Sequence, residues 1–164
     1  MNQYSTFRLG DRLFGLDLML IREINRILDI TPVPHARGHI RGLINLRGQI
    51  VTILDLGVRL GLERQEVADS SHNVILKTHA DLAAAHREGG GAHAAGGAQA
   101  GAASNDLVGF LVDAIGDVVE ADENSIEPPS ANVSEAEGRF LSGVIKTDSG
   151  LLVLLDLHEV LFGD

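Results

Sequence analysis

The chain has no cysteine and no tryptophan, and aromatic residues make up only 4% of it. Without thiols it forms neither disulfides nor Cys-ligated zinc sites, and thiol catalysis is excluded. A core so poor in rings must be filled by Leu, Ile and Val, and the β-branched members of that set favour strands. Apolar runs are short: none nears the ~18 residues that a membrane-spanning helix requires. The first ten residues, MNQYSTFRLG, lack the basic start and apolar stretch of a signal peptide. These absences predict a cytoplasmic protein that does not insert into a membrane. Basic residues are also scarce, 13 against 23 acidic ones, for a formal charge of −10. Broad nucleic-acid binding is thereby disfavoured, because positive charge must displace phosphate counterions.

Signatures of catalysis are missing as well. There is no His-Glu-x-x-His helix, no phosphate loop ending in Gly-Lys-Ser/Thr and no Gly-x-Ser-x-Gly elbow, so the chain reads as a non-enzyme without a cofactor. His72, His79, His86 and His93 do recur every seven residues. On one helix they would form a stripe fit for a borderline metal. A strand predicted from His72 and the triple glycine before His93 rule out that helix, and coincidence in an alanine-rich loop is the plainer reading. A sensor holding a small molecule or a metal between two lobes is the competing functional class.

What the chain does contain is a repeat. Arg41 to Leu56, RGLINLRGQIVTILDL, returns as Ser142 to Leu157, SGVIKTDSGLLVLLDL, at an offset of 101 residues. Gly15 to Ile24, GLDLMLIREI, returns as Gly109 to Val118, GFLVDAIGDV, at an offset of 94. Two echoes in the same order mean one structural unit used twice.

Short apolar–polar alternations separated by turn signals predict strands. Gly10-Asp11 and Arg47-Gly48 are suited to tight hairpin turns. Glu23 to Ile30 reads as one strand, stopped by Thr31-Pro32-Val33-Pro34. Asp55 to Leu60 and His158 to Phe162 read as short helices that close the two repeats. The pattern predicts an all-β protein of one domain, 1–164, with a first lobe over 1–66 and a second over 72–164. Whether the C-terminal helix completes the first lobe stays open. Ala80 to Asn105, with 11 Ala and 6 Gly among 26 residues, is expected to be a disordered insertion.

Thr31 to Leu54 contains no acidic residue, yet holds Arg37, Arg41, Arg47, His35 and His39. Edge arginines are commonplace deterrents to strand pairing. Arg47 stands apart because it sits at a hairpin tip within an apolar run, where a guanidinium fork can grip a partner's carboxylate or carbonyl. In the second copy Asp148 takes its place. Glu23, echoed by Asp117, fits a structural bond and a partner contact equally well.

The series FRLGDRLFGLDLMLIREI, PVPHARGHIRGLINLRGQIVTILDLGVRLGL, LVGFLVDAIGDVVEADENSIEPPS and FLSGVIKTDSGLLVLLDLHEVL resembles the CheW family of chemotaxis coupling proteins. The resemblance covers nearly the whole chain except Ala80 to Asn105. It implies two small five-stranded SH3-like β-barrels related by approximate two-fold symmetry. It also implies an adaptor between the cytoplasmic tips of chemoreceptors and the regulatory domain of a CheA-type histidine kinase. Ile21, Glu23, Gly42, Asn45, Arg47 and Gly48 match family positions near the receptor-binding groove and the neighbouring kinase contact. Apolar surface around Ile21 and Val51 is expected to supply affinity, and Arg47 polar specificity. Deleting Gly89 to Gly101 is expected to leave the fold intact; a large fall in melting temperature would show that the segment is ordered.

Overall fold

The computed structural model of the chain describes residues 1–63, 66–77, 107–128, 138–148 and 150–162. The insertion expected at 80–105, and with it His79, His86 and His93, lies outside the described residues. Eleven strands and two short helices are present among the described residues. The strands are β1 (Asn2–Leu9), β2 (Arg12–Asp17), β3 (Ile21–Asn25), β4 (Ile40–Leu46), β5 (Gln49–Asp55) and β6 (His72–Leu76). They continue with β7 (Leu107–Val112), β8 (Ala114–Ala121), β9 (Ile126–Glu127), β10 (Leu141–Thr147) and β11 (Gly150–Leu155). Helix α1 (Leu56–Arg59) follows β5, and α2 (Leu157–Phe162) follows β11.

These strands form two sheets, ordered β3-β6-β7-β5-β4 and β8-β1-β2-β11-β10-β9. Each closes on itself. Beyond β3 the chain runs on to Thr31, which bridges Leu43 on β4 at the far edge of the sheet. Beyond β8 it runs through a short 3-10 turn to β9, which pairs with β10. β8 and β9 are thus two parts of one bent strand, and the six-stranded sheet is a five-stranded barrel like its neighbour.

The lobes are not the two halves of the chain. Strands β1 and β2 join β8–β11, whereas β6 and β7 join β3–β5. The first hairpin of each repeat therefore completes the barrel of the other repeat, through the parallel pairs β2–β11 and β5–β7. The expected division at 66–72 fails for a local reason. Only Leu18-Met19-Leu20 separates β2 from β3, and only Asp113 separates β7 from β8. The first link has no Gly, Pro or Asn to reverse a strand, and a single residue cannot form a hairpin loop. The chain goes straight from one sheet into the other.

The exchange places the largest buried cluster between the barrels. Phe7, Leu16, Leu54, Phe110, Leu155 and Leu157 meet there, with the Phe7 and Phe14 rings stacked 6.4 Å apart. Ile44, Val51 and Ile53 fill one barrel, and their counterparts Ile145, Leu152 and Leu154 fill the other. The repeated Leu-Asp-Leu ends each copy in the same way. Asp55 caps α1 by accepting the Val58 N–H at 3.1 Å, and Asp156 accepts the Glu159 N–H at 3.2 Å. Arg59 of α1 donates to the Val160 carbonyl at 2.8 Å, so the last helix is tied to the first repeat.

One expectation about a strand end is corrected. β3 stops at Asn25 rather than continuing to Ile30, because the Asn25 side chain accepts the Ile27 N–H at 3.0 Å and turns the backbone. Gly42 belongs to the barrel seam: a Cβ there would lie 2.3 Å from the Thr31 carbonyl oxygen, and its φ is +150°. A Cβ at Gly143 would lie 2.5 Å from Ile126 Cγ2 and 3.1 Å from the Glu127 carbonyl oxygen. Gly42→Ala is expected to cost at least about 2 kcal/mol in denaturant unfolding, from backbone overlap and the glycine-favoured φ. Gly38→Ala, which meets nothing within 4 Å, should stay within roughly 0.5 kcal/mol.

Candidate protein-binding site

The β4–β5 hairpin turns through Arg47-Gly48, and Leu46 faces Gln49 across the two-residue loop. Both loop residues have positive φ, +50° at Arg47 and +87° at Gly48, as the twist-matched hairpin turn requires. Gly48 adopts this freely, while Arg47 is held there against its own preference. Asn45 fixes the tip by accepting the Gly48 N–H at its Oδ1, 2.8 Å away. A long cationic side chain is thus presented from a rigid turn.

Arg47 reaches across the barrel seam to Glu23 on β3. Its Nη2 donates to Glu23 Oε1, and its Nη1 lies 3.5 Å from Oε2. The Arg47 side chain remains 71% exposed while that of Glu23 is 25% exposed, so the pair sits at the surface with the arginine outermost. The Arg47 hydrogen bond, opposed in part by burial, holds the Glu23 carboxyl below its ordinary value. The same bond raises the Arg47 guanidinium further. In the second copy the equivalent positions are Asp117 and Asp148, which cannot pair.

Of the residues predicted for the site, Glu23, Asn45, Arg47 and Gly48 come together here. Glu23 is bonded by the Arg47 side chain. Ile21 and Val51 supply no surface: they are 8% and 0% exposed and belong to the core. The apolar surface of the hairpin is Ile50, 61% exposed and paired across the strands with Asn45. Its neighbour Val51 hides it in the sequence, since both are apolar. The signal was Asn45, because a polar residue facing out makes its cross-strand partner face out too.

The basic stretch around the hairpin is partly structural. Arg41, 14% exposed, pairs with the buried Asp55 at 3.1 Å. Burial, with Arg59 and Arg37 nearby, holds His39 below its ordinary range and so neutral at physiological pH. A cavity of about 220 Å³ lies where the barrels meet, below the usual size of a small-molecule site. Its inner carboxylates are already engaged, Asp55 by Arg41 and Asp113 by the Gly10 N–H at 2.7 Å.

The chain is thus a pair of interlocked β-barrels with a rigid charged hairpin at the rim of one. A family model described as a CheW-like domain matches residues 3–162, and the chain belongs to that family. It is 30% identical over 158 residues to a probable chemotaxis protein CheW of Rhizobium etli, covering 96% of this chain and 85% of that one. With chemotaxis protein CheW of Treponema pallidum it shares 25% identity, over 96% of this chain and 81% of the relative. The crystal structure of the scaffolding protein TtCheW from Thermoanaerobacter tengcongensis superposes with a TM-score of 0.75 at 28% identity. That match covers 99% of this chain and 90% of the other.

The Glu23–Arg47 pair has a defined pH signature. Because the folded-state carboxyl lies below its ordinary 4.5, its stabilisation is present above that value and is lost as pH falls through the folded value. The stability gap between the wild type and Glu23→Gln should be widest near neutrality and close in acid. A gap that does not vary with pH in denaturant titrations would show that the ion pair does not stabilise the seam.

Proposed function

We propose that this protein is a cytoplasmic chemotaxis adaptor without catalytic activity. It couples chemoreceptor cytoplasmic tips to the regulatory domain of a CheA-type histidine kinase by protein–protein binding. The observation that carries this reading is the β4–β5 hairpin. It offers a fixed guanidinium, an exposed Ile50 and a pinned backbone turn within one short element, which is the mix of apolar anchor and directional polar group that protein interfaces use. Family membership supports the same reading, since the relatives carry the names chemotaxis protein and scaffolding protein. No helix among the described residues is long and apolar enough to cross a membrane.

Ile21, Gly42 and Val51 hold the hairpin in place from within the fold, and Glu23, Asn45, Arg47 and Gly48 form the surface that meets the partners. Glu23 orients Arg47 in the free protein, and Asn45 with Gly48 sets the direction in which the tip points. Arg47→Glu and Ile50→Ser should each abolish most of the receptor-dependent activation of the kinase in a reconstituted array assay. Both should keep the wild-type circular dichroism spectrum; Ile50→Ser should also keep its melting temperature, whereas Arg47→Glu, which loses the ion pair and faces Glu23 with a like charge, should melt slightly lower. Full coupling in both variants would remove the hairpin from the interface.

A further inference from the structure

Behind the Glu23–Arg47 pair lies a buried amide couple with spare hydrogen-bonding capacity. Asn73 on β6 is 0% exposed. Its Nδ2 donates to the Ile27 carbonyl at 2.7 Å and to Asn25 Oδ1 at 3.2 Å. Asn25 Oδ1 also accepts the Ile27 N–H at 3.0 Å. These bonds fix the orientation of the Asn25 amide, with its oxygen toward Asn73 and Ile27 and its nitrogen on the other side. That Nδ2 is buried and has no hydrogen-bond partner. An unpaired buried donor is costly to keep.

Glu23 and Asn25 are two residues apart on β3, so their side chains share one face of the strand. The Asn25 amide stands near enough to contribute to the lowered pKa of Glu23, though short of hydrogen-bond geometry. The second copy has Val119 where the first has Asn25, two residues from Asp117. The amide accompanies the ion pair in the copy that has one.

We infer that Asn25 Nδ2 is a reserve donor that donates to the Glu23 carboxylate when Arg47 leaves it, with Asn73 as the positioning residue that holds the donor ready. Arg47 then turns outward to a carboxylate of a bound protein, while Glu23 keeps a hydrogen bond instead of standing as a naked charge beside the new partner. The inference rests on Arg47 as a partner contact, and it makes the hairpin a two-position element.

Nuclear magnetic resonance of the full chain tests the exchange directly, with Arg47→Ala standing in for an arginine drawn away. The Asn25 side-chain amide protons should move downfield, exchange about tenfold more slowly, as one added net hydrogen bond produces, and titrate together with Glu23. In the Arg47→Ala/Glu23→Gln double variant the titration should vanish. Asn25 signals unchanged by Arg47→Ala would overturn the exchange, and so would a titration that survives Glu23→Gln. Intact kinase coupling in Arg47→Ala would instead overturn only the reading of Arg47 as a partner contact.

Discussion

Asp113 is the whole link between β7 and β8, and a backbone that cannot turn back within one residue must leave its sheet. Leu18-Met19-Leu20 imposes the same course after β2. From these two passages follows the exchange of hairpins between barrels, and from the exchange follows the position of the main core. Residues of both repeats pack between the sheets, so neither barrel has a complete set of strands from its own repeat. Asp113 is itself held in place. Its carboxylate accepts the Gly10 N–H and its backbone N–H donates to the Arg8 carbonyl at 3.0 Å. The passage is therefore pinned to the hairpin it leaves free to cross.

Much of the fold was legible in the residues. Gly10-Asp11 and Arg47-Gly48 marked both hairpins of the first repeat, and Leu-Asp-Leu marked the helix caps, because turns and caps depend on neighbours in sequence. Lobe membership was not legible. Which barrel a hairpin joins depends on strands far away in the sequence, as Leu13 beside Leu152 and Val51 beside Leu107 show, and the offsets of 94 and 101 would be the same with or without the exchange. The end of β3 was missed because Asn25 fits an alternating strand pattern. Only its bonds to Ile27 and Asn73 reveal the turn.

The site divided along a similar line. Arg47 stood out as a charge within an apolar run, and its place at the tip followed from the turn. Glu23 kept two readings until the closed seam brought β3 against the hairpin. Val51 and Ile50 show the limit of periodicity: two adjacent apolar residues leave the parity of a strand undecided. Gly42 was grouped with the site by position, yet its repeat at Gly143 was the evidence for a fold role. A glycine needed by both copies answers to what the copies share, here the close crossing of seam and strand.

The exchanged hairpins also set an order of assembly during synthesis. Once Val112 has left the ribosome, the barrel of β3–β7 has all its strands. The β1–β2 hairpin, made first, must then wait for the 43 residues from Asp113 to Leu155. At roughly 5–20 residues per second this is a delay of a few seconds, during which Phe7, Phe14 and Leu16 are without Phe140 and Leu155 of their cluster. The β1–β2 hairpin is thus translated before the other strands and is among the last to find its place.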